Sequence, residues 1–195
     1  MADVTFVAPF FAETTLRFVA AVGGLEGVRL SLVSQDPPDG LPDTVRGRVA
    51  DFVQVSDALD PGVLARAVHR LRERGHGVER VLGTLEELQV PLGILRDELG
   101  LPGMGAEVAR NFRDKARMKE VLRGHGLPCA RHALARSGNE ARTFARESGF
   151  PLIVKPPAGS GARGTFRLEG EGDLEALLSR MPPSEGSPAL LEEFV

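Results

Sequence analysis

The sequence predicts an α/β fold, with a small doubly wound parallel-sheet domain at residues 1–106 and an α+β region at residues 107–195. Two observations predict this division. In the first part, four apolar runs of strand type alternate with helical patterns, which is typical of a parallel sheet covered on both faces. In the second part, two strand patterns flank a glycine-rich loop, which is typical of an antiparallel hairpin.

The elements of the first domain are predicted from apolar spacing and from residues that begin or end helices. Asp60 supplies a cap followed by a first-turn proline, and Thr84 with Glu87 forms a capping-box pattern. Gly100 ends the last helix, and right-handed crossovers would connect the strands. The predicted strands are residues 4–8, 28–33, 51–55 and 78–82, and the predicted helices are residues 14–22, 60–73 and 84–99.

The second region begins after a linker at residues 101–105, whose proline and glycines are typical of a turn. Asn111 is expected to cap the next helix, and Gly149 is expected to close a later one. The predicted extended segments are residues 127–134, 152–154, 165–168 and 189–195, and the predicted helices are residues 112–123, 139–148 and 173–180.

One stretch of this region carries a candidate ligand site. The apolar strand at residues 152–154 leads through Lys155 into a glycine-rich loop at residues 159–164. Glycine lets backbone N–H groups come close to a ligand, and successive N–H groups in such a turn form an anion-binding concavity. Lysine adds a point charge that suits phosphate. The stretch indicates a nucleotide-phosphate site between antiparallel strands, with a flexible hairpin and a structural lysine as the alternative.

The pattern differs from two other phosphate-binding motifs. A Walker P-loop places its lysine after the glycines and opens a helix, whereas Lys155 precedes the glycines and strand character follows them. No G-x-G-x-x-G leads from a strand into a helix, so the Rossmann fingerprint is excluded. Lysine is also rare, because Lys115, Lys119 and Lys155 are the only lysines among 24 lysines and arginines.

Composition excludes several classes of function. The formal net charge of -3 offers little to a nucleic-acid backbone. No apolar run approaches the length of a membrane span, and the N-terminus lacks the basic region of a signal peptide. Cys129 is the only cysteine, which rules out an internal disulfide and suits a cytoplasmic location. We expect Cys129 to serve packing, and we expect neither nucleic acid nor membrane as a partner.

A series of motifs in fixed order resembles the ATP-grasp superfamily, of the carboxylate–amine ligase type. The series runs from Glu98-Leu-Gly-Leu-Pro-Gly103 through Asn111-Phe-Arg-Asp-Lys115-Ala-Arg-Met118 and Gly126-Leu-Pro128 to Gly149-Phe-Pro-Leu-Ile-Val-Lys155-Pro, the glycine loop and Leu191-Glu-Glu-Phe-Val195. Each motif is weak alone, but their order and spacing agree together. The resemblance covers the whole chain and implies a Rossmann-like pre-ATP-grasp domain at residues 1–106. Residues 107–195 would form the incomplete N-terminal part of an ATP-grasp domain.

The resemblance also implies which residues hold ATP. Lys115 would reach the phosphates from one side, and Lys155 would lie beneath them near the adenine. The loop would close over the β- and γ-phosphates, and the last strand would contact the adenine amino group and ring. The implied ATP-binding residues are Lys115, Lys155, Gly159, Ser160, Gly161, Ala162, Arg163, Gly164, Glu192, Glu193, Phe194 and Val195.

Several of these residues have plainer interpretations. Lys115 could pair with an acidic neighbour on a solvated helix face. Arg163 could grip a γ-phosphate or merely solvate the loop. Glu192 and Glu193 could be charges on an edge strand that discourage aggregation.

Other charged residues are expected to lie outside the site. Lys119, one turn after Lys115, is expected at the surface. Glu86 and Glu87 could contact a ligand at the carboxyl edge of the first sheet, but a capping role is favoured. The histidines show no metal-ligand spacing and are expected at the surface or in turns; they are His69, His76, His125 and His132.

The family resemblance implies an ADP-forming ligase in which ATP phosphorylates a substrate carboxylate and an amine or thiol attacks the acyl phosphate. A biotin carboxylase or carbamoyl-phosphate synthase type of enzyme is the alternative within the family. The first βα loop at residues 9–13 lacks the Asn-Arg-Gly-Glu start typical of biotin carboxylases, which favours the amine ligases. A non-catalytic nucleotide-binding module is the alternative outside enzymes.

The implied ligands are ATP with Mg²⁺ and small-molecule carboxylate and amine substrates, and the resemblance leaves a homodimer open. The family's metal ligands and its ribose-binding carboxylate would follow Val195, so no metal ligand and no catalytic residue is assigned within these residues. Because phosphoryl transfer depends on those ions, the chain by itself is expected to be catalytically inert.

Overall fold

The computed structural model describes residues 1–159 and 161–195. These residues form two compact units, Met1–Arg110 and Asn111–Val195. The first unit contains a parallel sheet and the second an antiparallel sheet, which confirms the predicted fold class. None of the helices in the described part of the chain combines the length and hydropathy that a membrane span requires.

The sheet of the first unit has four parallel strands in the order β3-β2-β1-β4. On the central strand β1, Thr5 pairs with Ser31 on one side and with Val81 on the other. Successive strands are therefore added on one side of β1, as β2 and β3, and then on its other side, as β4, which is the arrangement of a doubly wound sheet. The strands are β1 (Ala2–Val7), β2 (Val28–Ser34), β3 (Asp51–Gln54) and β4 (Arg80–Leu82).

Helices cover both faces of this sheet, as predicted. Successive strand residues face opposite sides, so Phe6 packs in one core and Val7 in the other. The core around Phe6 is closed by α1 (Glu13–Gly23) and α2 (Asp43–Arg46), and the core around Val7 by α3 (Pro61–Glu73) and α4 (Gln89–Leu99). The short α2 was not predicted, because four residues show no helical period.

The predicted capping box before α4 is wrong. The structure has a 3-10 turn that begins after Leu85 instead of a helix capped by Thr84, and the α-helix begins only at Gln89. Leu88, at the end of that turn, is fully buried in the core. Burial of Leu88 explains why tertiary packing outweighed the local Thr84–Glu87 pattern.

The segment predicted as a linker, residues 101–105, is a structured turn on α4. Arg96 donates to the carbonyl of Met104 at 3.0 Å, and Asp97 accepts from the N–H of Ala106 at 2.8 Å. Both contacts tie the turn to the last part of α4. The turn leads into α5 (Ala106–Arg113), a helix that the sequence pattern did not predict.

The sheet of the second unit has four antiparallel strands in the order β5-β8-β6-β7. The strands are β5 (His132–Ala135), β6 (Leu152–Lys155), β7 (Phe166–Leu168) and β8 (Ala189–Glu193). β6 and β7 form the predicted hairpin around the glycine loop. β8 lies between β5 and β6, so its interpretation as an edge strand is wrong. Leu190 and Leu191, one facing each side, are both fully buried, which explains the central position.

In the described part of the second unit, the end of α5 is followed by α6 (Lys115–Gly124), α7 (Gly138–Ser148) and α8 (Glu171–Arg180). Phe144 of α7 and Leu177 of α8 pack against Leu152, Val154 and Leu191 of the sheet. Helices α7 and α8 therefore cover one face of the sheet and bury its apolar side chains.

Helix N-caps follow the predicted chemistry but not always the predicted residue. Asp60 caps α3 as expected, because its Oδ1 accepts from the N–H of Val63 at 2.9 Å. The cap of α6 is Asp114, whose Oδ1 accepts from the N–H of Ala116 at 2.9 Å. The prediction of Asn111 as this cap is wrong, since Asn111 lies within α5. The N-cap role belongs instead to Asp114, three residues later in the chain, whose short side chain supplies the acceptor oxygen.

Candidate functional site

The alternation of β-strand side chains separates an apolar face of the second sheet from a charged one. Leu152, Val154 and Leu191 face the core under α7 and α8. Lys155 and Glu192 therefore lie on the opposite face. On that face Glu192 also meets a side chain of α6, so the helix and the sheet meet at charged groups.

Glu192 is the most buried charged residue of this face, with only 7% of its surface exposed. Lys155 Nζ donates to its Oε2 at 2.7 Å. Lys119 Nζ lies 3.5 Å from its Oε1, which has no hydrogen-bond partner among the described residues. A buried carboxylate is costly unless opposite charges lie close to it. Two ammonium groups from different elements provide that compensation here.

The prediction of Lys119 as a surface residue is wrong. Only 11% of its side chain is exposed, and its ammonium faces Glu192. Its backbone carbonyl accepts a weak contact from the thiol of the half-buried Cys129 at 3.8 Å, which fits the packing role expected for that cysteine.

His132 is a further polar residue beside this cluster. It pairs directly with Glu192 across β5 and β8, and its Nδ1 is buried without a hydrogen-bond partner in the described ranges. Burial lowers the pKa of His132, and the charge of Arg123 lowers it further. The expectation of a surface or turn position is wrong for this histidine, which begins a strand and is partly buried.

Lys115 lies at the base of the glycine loop. Its Nζ donates to the carbonyl of Gly159 at 3.0 Å, and its backbone N–H donates to the carbonyl of Pro157 at 2.9 Å. Arg113 also donates to the carbonyl of Gly159, at 3.1 Å. Two cationic side chains thus converge on one backbone oxygen at the start of the loop. The alternative of a lysine paired on a solvated helix face does not describe this arrangement, since Asp114 accepts from backbone N–H groups.

The glycine loop contains a run of left-handed backbone. Gly161, Ala162 and Gly164 have φ values of 61°, 56° and 70°. Only glycine adopts this region without steric cost. The left-handed positions let the backbone of the loop turn within a few residues. Arg163 is exposed, and the predicted contact residue Ser160 lies outside the described residues. The conformation is of the kind that exposes backbone N–H groups to an anion.

The end of β8 supplies the residues predicted to contact adenine. Glu193 accepts from the backbone N–H and the Nε of Arg131, both at 2.8 Å, and these bonds lower the pKa of its carboxyl group. The guanidinium of Arg167 lies over the ring of Phe194 at 4.1 Å from its centroid. Val195 is almost fully exposed. The carboxylate of Glu193 is therefore occupied by Arg131, while that of Glu192 faces lysines.

A cavity of about 270 Å³ opens next to the loop, but it lies toward the helix-covered side of the sheet. Its wall includes Val154, Leu177 and Met181, and it is also lined by Lys155 at the end of β6 and by Gly164 of the loop. The wall is mainly apolar. The charged face described above is therefore the better candidate for a phosphate-bearing ligand.

Sequence reasoning missed Arg113 and Lys119. Arg113 was indistinguishable from the many surface arginines, because nothing in its local pattern predicts contact with Gly159. A signal for Lys119 did exist, since it is one of only three lysines in a chain that otherwise uses arginine. Its spacing of four residues from Lys115 also places both ammonium groups on one side of α6.

Comparison with known proteins places this geometry in a family. Residues 114–189 match the family described as "Carbamoyl-phosphate synthase L chain, ATP binding domain". The carbamoyl phosphate synthase large chain of Mycobacterium sp. (strain JLS) is 32% identical over 128 residues, covering 62% of this chain and 12% of that protein. The L-arginine-specific L-amino acid ligase of Bacillus subtilis is 32% identical over 131 residues, covering 67% of this chain and 32% of that protein.

A solved structure shares the fold over the whole length. The N5-carboxyaminoimidazole synthetase from Staphylococcus aureus, solved in complex with ADP, superposes with a TM-score of 0.73 and 17% sequence identity. The match covers 100% of this chain and 48% of that chain, so this chain spans less than half of the structure it resembles. The matched ATP-binding domain and the shared fold agree with the motif series in the sequence. The chain belongs to the ATP-grasp superfamily.

Proposed function

We propose that the protein binds ATP on the charged face of its second sheet and acts as an ADP-forming ligase that joins a carboxylate to an amine or thiol. The observation that carries the proposal is the convergence of cations on one loop. Lys155 leads into the glycine loop from β6, and Lys115 reaches the first glycine of that loop from α6. The proposed ATP-binding residues remain those named from the family resemblance.

The phosphate contacts follow from groups already present. The ammonium of Lys115 now donates to a neutral carbonyl, which a phosphate oxygen can replace with a stronger, charge-assisted bond. Loss of that contact would free Gly159 and the following loop to move. The left-handed positions at Gly161 and Gly164 would then let backbone N–H groups approach the β- and γ-phosphates. Arg163, which is exposed, would be a further phosphate contact on the closing loop.

Phosphorylation is what makes a carboxylate reactive. Direct attack by an amine would have to expel oxide, whereas attack on an acyl phosphate expels phosphate. In this proposal, the γ-phosphoryl group passes to the carboxylate oxygen with ADP as the leaving group, and the nucleophile then displaces phosphate. The protein contributes alignment and charge neutralisation, and loop closure excludes water from the intermediate.

The nucleotide would bind with Mg²⁺, which neutralises charge on the phosphates. In the part of the chain that the structure describes, no three histidine, cysteine, aspartate or glutamate side chains converge on one point. Glu192 is already paired with Lys155 and Lys119. These residues fit phosphate and base contacts rather than a metal cage.

A carbamoyl-phosphate synthase or biotin carboxylase type of reaction is the second candidate. The match of residues 114–189 to a carbamoyl-phosphate synthase family specifically favours it. The similarity to an L-amino acid ligase favours the first candidate. Both reactions consume ATP by phosphorylating a carboxylate-like oxygen, so the same site serves either one.

Release of ADP by the complete protein distinguishes these functions. The protein is incubated with ATP, Mg²⁺ and panels of carboxylic acids and amines, and ADP is measured with each component omitted in turn. ADP that forms only when both an acid and an amine are present supports the ligase. Dependence on bicarbonate supports the second candidate, and ATP binding without ADP release under any condition supports a non-catalytic module.

The proposal includes several expectations from the family resemblance. The first unit would be the pre-ATP-grasp domain, and the second would be the front part of the ATP-grasp domain. The substrates would be small molecules, the protein could form a homodimer as the resemblance allows, and it would act in the cytoplasm. Gel filtration with light scattering of the complete protein measures its oligomeric state directly.

A further inference from the structure

The cluster of Lys119, Glu192 and Lys155 contains a residue that neither the sequence motifs nor the family match assigns. Glu192 uses one carboxylate oxygen for each lysine, but the two contacts differ. Oε2 accepts a short hydrogen bond from Lys155 at 2.7 Å, whereas Oε1 lies 3.5 Å from Lys119 and accepts no hydrogen bond among the described residues. The carboxylate therefore has one hydrogen-bonded counter-ion and a second counter-ion that is more distant.

The burial of the cluster makes this second counter-ion necessary. The side chains of Glu192 and Lys119 are only 9% and 11% exposed, while that of Lys155 is 21% exposed. Water therefore stabilises the charges of Glu192 and Lys119 less than that of Lys155. If Lys155 turned toward a phosphate without any replacement, a buried carboxylate would be left uncompensated, which is strongly unfavourable.

The helix α6 links the two ends of the candidate site. Lys115 and Lys119 are four residues apart and so lie on the same side of the helix. Lys115 reaches the loop at Gly159, and Lys119 reaches Glu192 on β8. One face of α6 therefore carries both the lysine that contacts the loop and the lysine that acts as a counter-ion to the carboxylate on β8.

We propose that Lys119 is a positioning residue of the nucleotide site, which neutralises Glu192 so that Lys155 can leave it for the ligand. This inference rests on the proposed nucleotide binding. Lys119 itself does not contact the nucleotide; it changes how strongly Glu192 retains Lys155. Without Lys119, Lys155 becomes the sole counter-ion of a buried carboxylate and its transfer to phosphate is disfavoured.

The test measures binding of Mg²⁺ and AMP-PNP, a non-hydrolysable ATP analogue, to the complete protein by titration calorimetry. Lys119→Met should raise Kd about tenfold, which corresponds to about 1.4 kcal/mol. Lys119→Arg should restore binding to within about threefold of the wild type, because it keeps the charge, a difference of about 0.6 kcal/mol. Lys119→Gln provides a polar neutral variant if the methionine variant folds poorly, with the same expected loss.

A double-mutant cycle separates this role from a general loss of positive charge or of stability. In the background Glu192→Gln there is no carboxylate to neutralise, so adding Lys119→Met should leave Kd unchanged within about twofold, less than 0.5 kcal/mol. The matched control is Arg123→Met, which removes a cation one turn further along α6 that donates to the carbonyl of Ala130 instead. This control should leave Kd near that of the wild type.

The possible failures are distinguishable. If the wild-type protein does not bind AMP-PNP, both the proposed function and this inference are refuted. If the wild type binds but Lys119→Met and Lys119→Gln bind equally well, the inference alone is refuted. It is also refuted if the loss persists in the Glu192→Gln background or is matched by Arg123→Met, because Lys119 would then act by charge or by direct contact.

Discussion

Replacing Lys155 by methionine should destabilise the second unit, because it removes the ammonium group that donates a short hydrogen bond to a buried carboxylate. Lys155 Nζ lies 2.7 Å from Glu192 Oε2, and Glu192 has 9% of its side chain exposed. Leaving a buried charge with no partner costs about 3–5 kcal/mol. Lys119 remains 3.5 Å from the other oxygen, so the loss should be lower, about 2 kcal/mol, which is typical of a hydrogen bond to a charged group.

Urea unfolding of the complete protein measures this loss. The chain contains no tryptophan or tyrosine, so far-ultraviolet circular dichroism is the suitable signal. The double variant Lys155→Met, Glu192→Gln removes both charges and should be more stable than the sum of the two single losses implies, with a coupling of about 1 kcal/mol. The matched control is Arg136→Met, which breaks an exposed ion pair with Glu185 and should change stability little.

Strict additivity of the two single losses would refute the reasoning, because it would mean that Lys155 and Glu192 do not interact energetically. A loss in Arg136→Met equal to that in Lys155→Met would also refute it. Such a result would show that burial of the Glu192 cluster adds nothing to the strength of the ion pair.

Three further predictions follow from the second unit. Leu191→Ala should cost about 2–5 kcal/mol in urea unfolding, because Leu191 is fully buried in a central strand, whereas the exposed Val195→Ala should change stability by less than about 0.5 kcal/mol; equal effects would contradict the strand order. Burial lowers the pKa of His132 below its ordinary 6.5, so the unfolded chain binds the proton more readily. Stability should therefore fall as pH drops below about 6.5, and His132→Phe should reduce that slope in unfolding curves between neutral and mildly acid pH. Lys115→Met should raise the Kd for Mg²⁺ and AMP-PNP about tenfold with little loss of stability; unchanged binding in calorimetry would exclude Lys115 from the phosphate site.

The motifs of the second unit were predictable because they depend on local chemistry. The hairpin around the loop follows from an apolar strand, a lysine and closely spaced glycines, and the structure pairs Leu152 with Leu168 accordingly. The cap at Asp60 was predictable for the same reason, since the bond to Val63 spans only three residues. Local patterns failed where a buried residue decided the outcome, as at Leu88, whose packing displaced the capping box.

The contacts within the charged cluster were not predictable. Lys119 was expected at the surface from its place one turn after Lys115, and its partner Glu192 lies 73 positions later in the chain, beyond the reach of a local pattern. For Glu192, expected to contact adenine, an edge-strand charge stayed open as an alternative, because the sequence of a strand does not reveal which strands flank it. The position of β8 beside β5, together with the contact of α6 with β5, brings these two residues together.

The sequence by itself determined the α/β class, the hairpin with its glycine loop and the two lysines that indicate phosphate. These features are encoded in spacing and side-chain type within short segments. The tertiary structure alone decided that Arg113 and Lys115 meet at Gly159, and that Lys119 and Lys155 share one buried carboxylate. The physical reason is that the energy of a charged group depends on its burial and on partners distant in the chain, and both are set by how helices and strands pack.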